Sequence, residues 1–342
     1  MKQVVSLVFV FLLVTSPLFV LTGTTKAGNN AGFSPQNIVL SDDAFHGRQY
    51  LPFTEWWYFD AIFNNGYSVE MDVRIGSALG RGFVFERFDI HYNNTMIADQ
   101  KKTFNMTDMV ASTTVPFVQL DGNTILSGTQ NTTTGNFEYN VSFEFPGYAA
   151  ELHFVGCTQG WKGQQKTRDW WVVALPRADV TGTIVVNNET IPVSGIGYHD
   201  HNWEVTPKSF LRFGWFWGKF NSLDYTMTWS ALLPTRATMK PILVLNTKNG
   251  GYLSIPSQDI WFSVSGVHLD HLVRVPSLFT LGTMTDTVFL HMSMEVIHVD
   301  YTRYKGILDY WRFYVKCSGN IFTDGHAETI NDVCIAEYIR FR

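Results

Sequence analysis

Apolar and polar side chains alternate along many short stretches of this chain. Between residues 137 and 145, five aromatic or aliphatic residues alternate with Glu, Asn and Ser, which is the period-two pattern of a half-buried β-strand. Five further stretches share this pattern: 69–75, 83–92, 183–186, 287–299 and 334–341. Hairpin turns are predicted at 64–66, 121–123 and 249–251, because Asn and Gly tolerate positive φ. With no convincing amphipathic helix in the sequence, the pattern predicts an all-β chain.

The strand pattern continues through most of the chain, whose 342 residues suffice for two ordinary cores. Many short strands joined by frequent turns are typical of antiparallel barrels or sandwiches. The best boundary is the proline-containing break at residues 205–208. We therefore predict a linker over 28–49, an N-terminal β domain over 50–207 and a C-terminal β domain over 208–342, with the two domains packed together.

The first 27 residues are predicted to be a targeting segment. Lys2 precedes an apolar run from Val4 to about Leu21, and Thr25 and Ala27 place small residues at the spacing that signal peptidase prefers. The run is also long enough for an uncleaved membrane anchor. Residues 1–27 are therefore predicted to be a signal peptide or a membrane anchor, and the protein to be secreted or extracytoplasmic. Association with a membrane would occur through this segment.

Five Asn-x-Ser/Thr sequons agree with export, and they imply glycosylation in a host that has the machinery. They are Asn93, Asn105, Asn131, Asn140 and Asn188. Three cysteines cannot form a disulfide framework. Cys317 and Cys334 can pair if antiparallel strands bring them together, which would leave Cys157 as a free, buried thiol.

Composition narrows the classes of function. Aromatic residues make up 15% of the chain and charged residues 16%, which indicates broad apolar interiors or a pocket for a flat or chain-like ligand. The net charge is −5 and the sequence contains no Lys/Arg run, so nucleic acid is not a predicted partner. Gly-x-Ser-x-Gly and Gly-rich phosphate loops are missing from the sequence. Serine hydrolases and nucleotide enzymes are therefore disfavoured, and no cofactor is predicted.

The most unusual segment is the polar window, residues 194–204, in which two histidines, two carboxylates, an amide, a phenol and an indole are crowded together. On an extended strand His199, His201 and Trp203 face one side, and Asp200 faces the other. Three interpretations remain open. The histidines could hold a metal with a third ligand from elsewhere, they could form a catalytic pair with Asp200, or the cluster could be a self-satisfied network that locks the domain junction.

Two aromatic segments, 55–59 and 210–220, are candidates for the wall of a ligand site. Core packing explains both, since the second segment is apolar on both strand faces. The functional alternative is an aromatic cage that holds an apolar chain or stabilises a cation through the ring quadrupoles. The residues singled out as ligand-binding are Glu55, Trp56, Trp57, Tyr58, Trp215 and Trp217.

Several of these features together resemble one protein family. The tripeptide at 56–58, Pro176-Arg177 followed by Val180-Thr181-Gly182-Thr183, and the window 194–203 are similar to motifs of the AttH/CrtC family. That family includes acyclic carotenoid hydratases (hydroxyneurosporene synthases). The resemblance covers 50–342 and implies two lipocalin-like β-barrels or sandwiches packed together, in agreement with the two-domain prediction.

The resemblance also implies site residues. In the hydratases the working residues resemble a His-x-Trp pair followed later by Tyr-x-Asp, and His201, Trp203 and Tyr225 match these positions. Met227 stands where the acid would be, and Asp224 is displaced by one residue to the opposite strand face. The departure at Met227 favours binding without turnover.

We therefore predict an exported lipocalin-like protein that binds an isoprenoid or another long apolar ligand. The alternative is a hydratase with the catalytic set His199, Asp200, His201, Trp203 and Tyr225. In that hypothesis burial keeps Asp200 protonated so that it protonates an alkene, the indoles stabilise the carbocation, and His201 or Tyr225 orients water. A metal-dependent hydrolase is the third hypothesis. The polar window is expected to lie where the two barrels meet and to face an apolar cavity.

Overall fold

The computed structural model describes residues 33–47, 53–78, 81–164, 169–205, 214–233, 240–248, 251–304, 308–323 and 325–341. Most of these residues are in β-strands, and the strands form two nearly closed antiparallel barrel-like sheets. This arrangement confirms the predicted fold class. Helical structure within the described ranges is limited to short 3-10 turns at Leu40–Asp43, Met106–Asp108 and Ser257–Asp259.

The first sheet is built from the N-terminal strands. They are β1 (Gln36–Asn37), β2 (Phe53–Phe63), β3 (Tyr67–Ala78), β4 (Arg81–Tyr92), β5 (Thr95–Asn105), β6 (Met109–Ala111), β7 (Phe117–Leu120), β8 (Asn123–Gln130), β9 (Phe137–Phe145), β10 (Tyr148–Gly156), β11 (Trp161–Gln164), β12 (Trp170–Val186) and β13 (Glu189–Val205). Their order is β5-β4-β3-β2-β13-β12-β10-β9-β8-β7-β6, and β11 attaches β1 to β12. This sheet encloses one apolar core.

The second sheet is built from the C-terminal strands. They are β14 (Gly214–Asn221), β15 (Tyr225–Leu233), β16 (Lys240–Thr247), β17 (Tyr252–Ile255), β18 (Ile260–Ser265), β21 (Leu278–Met284), β22 (Val288–Tyr304), β23 (Leu308–Thr323) and β24 (His326–Phe341), while β19 (His268–Asp270) and β20 (Val273–Val275) form a separate hairpin. The order is β17-β16-β15-β14-β24-β23-β22-β21-β18. It encloses a second core.

The predicted strand alternation and hairpin turns are present where the structure describes the residues concerned. Strand β9 spans the alternating stretch, and every second side chain of it is buried. Asp121 and Gly122 both have positive φ, 49° and 83°, so they form the two-residue hairpin turn between β7 and β8. Gly66, with φ of 86°, ends the turn between β2 and β3. Residues 249 and 250 of the third predicted turn lie outside the described residues.

The two sheets face each other across a third, smaller apolar cluster. It draws aromatic residues from both sides, including Tyr58, Trp171 and Tyr198 from the first sheet and Trp217 and Tyr314 from the second. The first sheet ends at Val205 and the second begins at Gly214, so most of the predicted boundary at 205–208 lies outside the described residues. Strands β2, β12 and β13 are thereby placed opposite β14, β23 and β24.

The described part of the predicted linker belongs to the first barrel. Strand β1 pairs with β11, and the 3-10 turn that follows ends at Asp43, which is fully buried. The Trp57 indole donates to the Asp43 carbonyl oxygen at 3.0 Å. The linker prediction is therefore wrong over 33–47, because buried hydrogen bonds hold this polar segment against the sheet. Residues 28–32 and 48–49, together with the targeting segment 1–27, lie outside the described residues.

Two further observations bear on the sequence predictions. Cys317 and Cys334 lie on the neighbouring strands β23 and β24, with their Sγ atoms 2.6 Å apart, so antiparallel pairing brings them together as expected, but both are free thiols and not a disulfide. Cys157 is free and half-buried rather than buried. No helix in the described ranges is long and apolar enough to cross a membrane.

Candidate functional site

The polar window lies on β13, which runs between β2 and β12. His199 and His201 face the interior of the first barrel, whereas Asp200 faces the second barrel. The β pleat therefore separates Asp200 from the two histidines, as the alternation predicts. Hydrogen bonds between Asp200 and either histidine are absent from the described contacts, so the proposed carboxylate–imidazole pair within the window does not form.

His199 is held in the barrel interior by two acceptors. Its Nδ1 lies 2.9 Å from the Tyr58 carbonyl oxygen, and its Nε2 lies 2.9 Å from Asp43 Oδ2. Phe59 stacks on the imidazole with ring centroids 3.7 Å apart. The Tyr139 hydroxyl donates to the same Asp43 oxygen at 2.8 Å. Both ring nitrogens of His199 are thus occupied by protein groups.

His201 lies between two carboxylates. Its Nε2 is 2.9 Å from Glu55 Oε1 and its Nδ1 is 3.4 Å from Asp43 Oδ1, while Trp57 stacks on the ring at 4.5 Å. Burial opposes charging of this imidazole, but the hydrogen bonds to Asp43 and Glu55 prevail and raise the pKa of His201 to about 9. Burial also opposes ionisation of Asp43, yet His199 and His201 hold the pKa of Asp43 well below its usual range.

This inner network pairs its carboxylates with its imidazoles, but it leaves Asp43 Oδ1, Glu55 Oε2 and His201 Nδ1 buried without a hydrogen-bond partner. Asp43, Glu55, His199 and His201 are each at most 1% exposed, and their charges compensate one another. Buried ionisable groups with such partners anchor structure rather than meet a substrate. Of the three interpretations of the polar window, a structural network therefore describes its histidine face best. The network is not fully hydrogen-bonded, and it pins residues 40–44 to the barrel rather than locking the domain junction.

Trp203 continues the histidine face at the end of β13. Its ring stacks on His46, with centroids 3.9 Å apart, and on Trp170 at 5.1 Å. Burial lowers the pKa of His46, and the neighbouring His201 charge lowers it further. Trp203 thus packs at the rim of the first barrel, away from Asp200.

Asp200 is surrounded by neutral donors on the other face of β13. Trp171 Nε1 donates to Oδ2 at 2.9 Å, the Tyr198 hydroxyl donates to Oδ2 at 2.8 Å, and Asn202 Nδ2 donates to Oδ1 at 3.2 Å. Burial raises the pKa of Asp200 to about 6, and the hydrogen bonds from Trp171 and Tyr198 moderate that rise. A carboxyl whose pKa lies near neutrality can exchange a proton with a bound molecule.

Asp200 lines a cavity of about 150 Å³ between the two barrels. Its aromatic walls are formed by Trp56, Tyr58, Trp171, Trp215, Trp217, Tyr310 and Phe341. Carboxyl groups are interspersed with these rings, namely Glu70, Asp72, Asp169, Asp200 and Glu337. The cavity is thus aromatic and acidic, and the expectation of an apolar cavity is wrong in this respect.

A second carboxyl with a raised pKa comes from the opposite barrel. Glu337 Oε1 accepts hydrogen bonds from the hydroxyls of Tyr310, at 2.8 Å, and Tyr58, at 3.1 Å, and it lies 3.3 Å from Arg312 Nη1. Burial and the adjacent Glu70 charge raise the pKa of Glu337 to about 7, against the opposing effect of Arg312. Each wall therefore has a carboxyl whose pKa lies near neutrality, and burial also raises the pKa of Asp72 on the wall of the first barrel.

Glu70 behaves differently because two guanidinium groups reach it. Arg87 Nη1 lies 2.5 Å and Arg312 Nη1 2.8 Å from its carboxylate. Burial opposes ionisation, but Arg87 and then Arg312 prevail and lower the pKa of Glu70. Tyr310 donates to both Glu70 and Glu337. Glu70 is thus a permanent anion beside Glu337, which explains why Glu337 holds its proton.

The structure divides the predicted site residues into three groups. Five of them line the cavity: Asp200, Trp56, Tyr58, Trp215 and Trp217. Five belong to the interior or rim of the first barrel: Glu55, Trp57, His199, His201 and Trp203. Tyr225 lies in the core of the second barrel, beside Met227.

Tyr225 is 3% exposed, and its hydroxyl lies 2.5 Å from Thr323 Oγ1. Because it does not line the cavity, Tyr225→Phe is expected to leave turnover of a cavity-bound substrate unchanged and to lower the free energy of unfolding by about 1 kcal/mol, the typical contribution of one hydrogen bond. Steady-state kinetics and urea unfolding of the variant check both statements. A loss of turnover as large as that of an Asp200 variant would contradict this placement.

Glu337, Glu70 and Arg312 were not singled out from the sequence. A signal exists for Glu337 and Arg312, since each is a single charge within an otherwise apolar strand segment, as Arg312 is between Trp311 and Phe313. Glu70 gives no such signal, because Asp72 and Arg74 follow it on the same strand. Charged groups at such positions are buried only when they are paired. The identity of the partners depends on contacts between residues far apart in the sequence, which no local pattern encodes.

The metal interpretation finds no support at the histidines of the polar window. Within the described residues, the group with the spacing of metal ligands is Asp224, His326 and Glu328, which lies at one end of the second barrel. His326 Nε2 already pairs with Asp224 at 3.0 Å, and Glu328 accepts from the Ser222 hydroxyl. We assign no metal to this group.

The sequence matches no protein-family model and no curated protein. In three dimensions it is similar to a protein from Nitrosomonas europaea described as AttH, with a TM-score of 0.63 and 13% identity over 89% of this chain and 96% of that one. CghA with bound Sch210972 matches with a TM-score of 0.59 and 12% identity, over 84% and 88% of the two chains.

Kievitone hydratase from Nectria haematococca matches with a TM-score of 0.56 and 11% identity, over 84% of this chain and 89% of that one. Sequence identities this low support a shared fold and not a shared function. All three structures match over more than four fifths of this chain. The protein therefore has the two-barrel, lipocalin-like fold of the AttH-like proteins.

Proposed function

We propose that this protein is an acid–base enzyme that adds water to, or removes it from, a carbon–carbon double bond of a small molecule held between the two barrels. The observation that carries the proposal is the pair of buried carboxyls, Asp200 and Glu337, with pKa values of about 6 and about 7 on facing walls of one aromatic cavity. Pairs of groups whose pKa values are separated by their environments suit general acid and general base roles.

The surroundings of the two carboxyls suggest their roles. The Glu70 carboxylate beside Glu337 favours its protonated form, so Glu337 suits the acid. Asp200 receives three hydrogen bonds that stabilise its carboxylate, so it suits the base. This order differs from the sequence-based hypothesis, in which Asp200 was the acid. Tyr225 and the histidines of the polar window have no part in it, because they do not line the cavity.

The proposed reaction balances without a cofactor. Glu337 transfers its proton to one alkene carbon, and the aromatic walls stabilise the positive charge on the other carbon. Water adds to that carbon and loses a proton to Asp200. Solvent then returns the proton from Asp200 to Glu337, so the net change is the addition of one water. The reverse sequence is dehydration.

The fold neighbours support this class of reaction without specifying the substrate. One neighbour is named a hydratase and another holds a small molecule. The cavity volume of about 150 Å³ is below the roughly 300–1,000 Å³ of pockets that enclose a drug-sized ligand. We therefore propose a compact ligand, or one end of a larger one, rather than a fully enclosed isoprenoid chain.

The test is water incorporation. Compounds with a double bond, including kievitone, are first screened for binding, and those that bind are incubated with the protein in ¹⁸O-labelled water. We expect a product that carries one labelled water with the wild-type protein, and far less with Asp200→Asn or Glu337→Gln. Recovery of every bound compound unchanged would overturn the proposal and leave the carrier function, binding without turnover, in its place.

We also propose that the protein is exported, as residues 1–27 suggest. Four sequon residues on the first barrel are exposed, namely Asn93, Asn105, Asn140 and Asn188, whereas the Asn131 side chain is half-buried and donates to Glu138. We expect glycans at the four exposed sites and none at Asn131 in a glycosylating host. Mass spectrometry of the native protein checks the glycans and the N-terminus together, and an intracellular, unmodified full-length chain would contradict export.

A further inference from the structure

The walls of the interdomain cavity carry more carboxyl groups than cationic groups. Among the described residues, five carboxyls line it and only two guanidiniums, those of Arg74 and Arg87. The layer behind the walls adds the cations Arg312 and Lys219. It also adds two more carboxyls: Asp60, which contacts Lys219, and Asp89, which contacts Arg87. Burial raises the pKa of Asp89 to about 8, which leaves that carboxyl largely neutral near pH 7, so the excess of carboxyls belongs to the walls and not to the layer behind them.

The cations of the cavity already contact protein carboxylates, although Nε and Nη2 of Arg312 have no hydrogen-bond partner among the described residues. Arg87 contacts Glu70 and Asp89, and Arg312 contacts Glu70 and Glu337. Asp200, in contrast, receives its hydrogen bonds from the neutral donors described above. Burial of a carboxylate without a cationic partner is costly. The raised pKa values of Asp200 and Glu337 express this deficit of positive charge.

Aromatic rings surround the acidic groups. The centroid of the Trp217 ring lies 5.9 Å from that of Tyr58, in an edge-on arrangement, and 5.2 Å from that of Tyr198, in a tilted one. The rings of this wall therefore face in different directions. Arg74 already lies over the Trp56 ring at 5.3 Å, which shows that this wall accepts a cation on a π-face. Aromatic rings combined with carboxylates are the arrangement that binds ammonium groups.

We infer that the interdomain cavity recognises a compact organic cation, of the alkylammonium class, in preference to a neutral or anionic molecule of the same shape. The inference rests on the proposed location of the ligand site but not on the proposed reaction. The ammonium group would lie between the Trp217 side of the cavity and the carboxyls of Asp200 and Glu337. An anionic ligand would meet walls with more carboxyls than guanidiniums, and Arg87 and Arg312 already contact the Glu70 carboxylate.

Choline and 3,3-dimethyl-1-butanol test this preference, because they have the same shape and differ in charge. Isothermal titration calorimetry of the full-length protein is expected to give a dissociation constant at least about tenfold lower for choline, since desolvated cation–π contacts contribute substantially. Asp200→Asn and Glu337→Gln are each expected to weaken choline binding severalfold and to leave the alcohol unaffected. Glu295→Gln, a change at an exposed glutamate of β22, serves as the matched control and is expected to change neither affinity.

Equal or tighter binding of the alcohol, or no binding of choline at millimolar concentration, would overturn the inference. The water-incorporation assay on the same preparation separates it from the proposed reaction. Labelled product together with a preference for the neutral probe refutes only the charge selectivity. A preference for choline without turnover of any bound alkene supports the selectivity and refutes only the hydratase activity.

Discussion

Asp200→Asn is expected to lower kcat/KM for water addition by roughly 10²–10⁴-fold, the usual contribution of a general base or acid. The substitution removes the group that accepts the proton of water. It keeps a similar shape, so the three donors around the carboxylate, Trp171, Tyr198 and Asn202, lose an anionic acceptor but retain a polar neighbour. Steady-state kinetics on a substrate identified by water incorporation measures the effect.

The pH profile distinguishes this role from a structural one. For the wild-type protein kcat/KM is expected to rise with pH as Asp200 ionises around its pKa of about 6, and to fall as Glu337 loses its proton around its pKa of about 7. Asp200→Asn should remove the acidic limb and keep the basic limb. An unchanged profile with a uniformly lower rate, or a variant as active as wild type, would refute the assignment of Asp200 as the base.

Asp43→Ala is expected to lower the free energy of unfolding by about 3–5 kcal/mol, the range for breaking one partner out of a buried ion pair. Asp43 is fully buried and faces His199 Nε2 at 2.9 Å and His201 Nδ1 at 3.4 Å. Its loss leaves His201 with Glu55 as its remaining carboxylate partner and strips His199 of an acceptor. Urea unfolding monitored by tryptophan fluorescence measures the change.

The adjacent carboxylate is the matched control. Asp42 pairs with Lys162 at 2.6 Å, but both side chains are partly exposed, 15% and 20%. An ion pair of that kind contributes at most about 1 kcal/mol, so Asp42→Ala should cost far less than Asp43→Ala. If the two variants lose the same stability, the inner network is not the anchor of the segment at 40–44.

The pKa shifts of His201 and Asp43 determine how the stability from the inner network changes with pH. The folded-state pKa of His201, about 9, lies above its ordinary value of 6.5, so its stabilisation is complete below about pH 6.5 and is lost as the pH rises through 9. The pKa of Asp43 is lowered from 3.8, so its stabilisation is present above about pH 4 and is lost on strong acidification. The stability difference between wild type and Asp43→Ala should therefore be largest between about pH 4 and 6.5 and should shrink above pH 9.

Individual residues show what local sequence patterns can predict and what they cannot. Alternation along β13 correctly separates His199 and His201 from Asp200, because the period of a strand is a local property. The same pattern cannot say which face is the barrel interior and which is the cavity. Asp43 was assigned to a linker, since an acidic residue that will be buried looks the same in a sequence as one that will be solvated. Its burial depends on histidines more than 150 residues away.

Backbone propensities, turn residues and the period-two pattern act over a few residues, so the amino-acid order was enough to establish an all-β chain with two barrels and to select the strand that carries the candidate site. The placement of Asp200 and Glu337 around one cavity, and the pairing of Asp43 with His199 in the barrel, depend on strands that meet only when both sheets have closed and packed. Charges, burial and pKa values at those positions are properties of the assembled contacts, and for that reason the acid, the base and the acidic character of the cavity emerge only from the folded molecule.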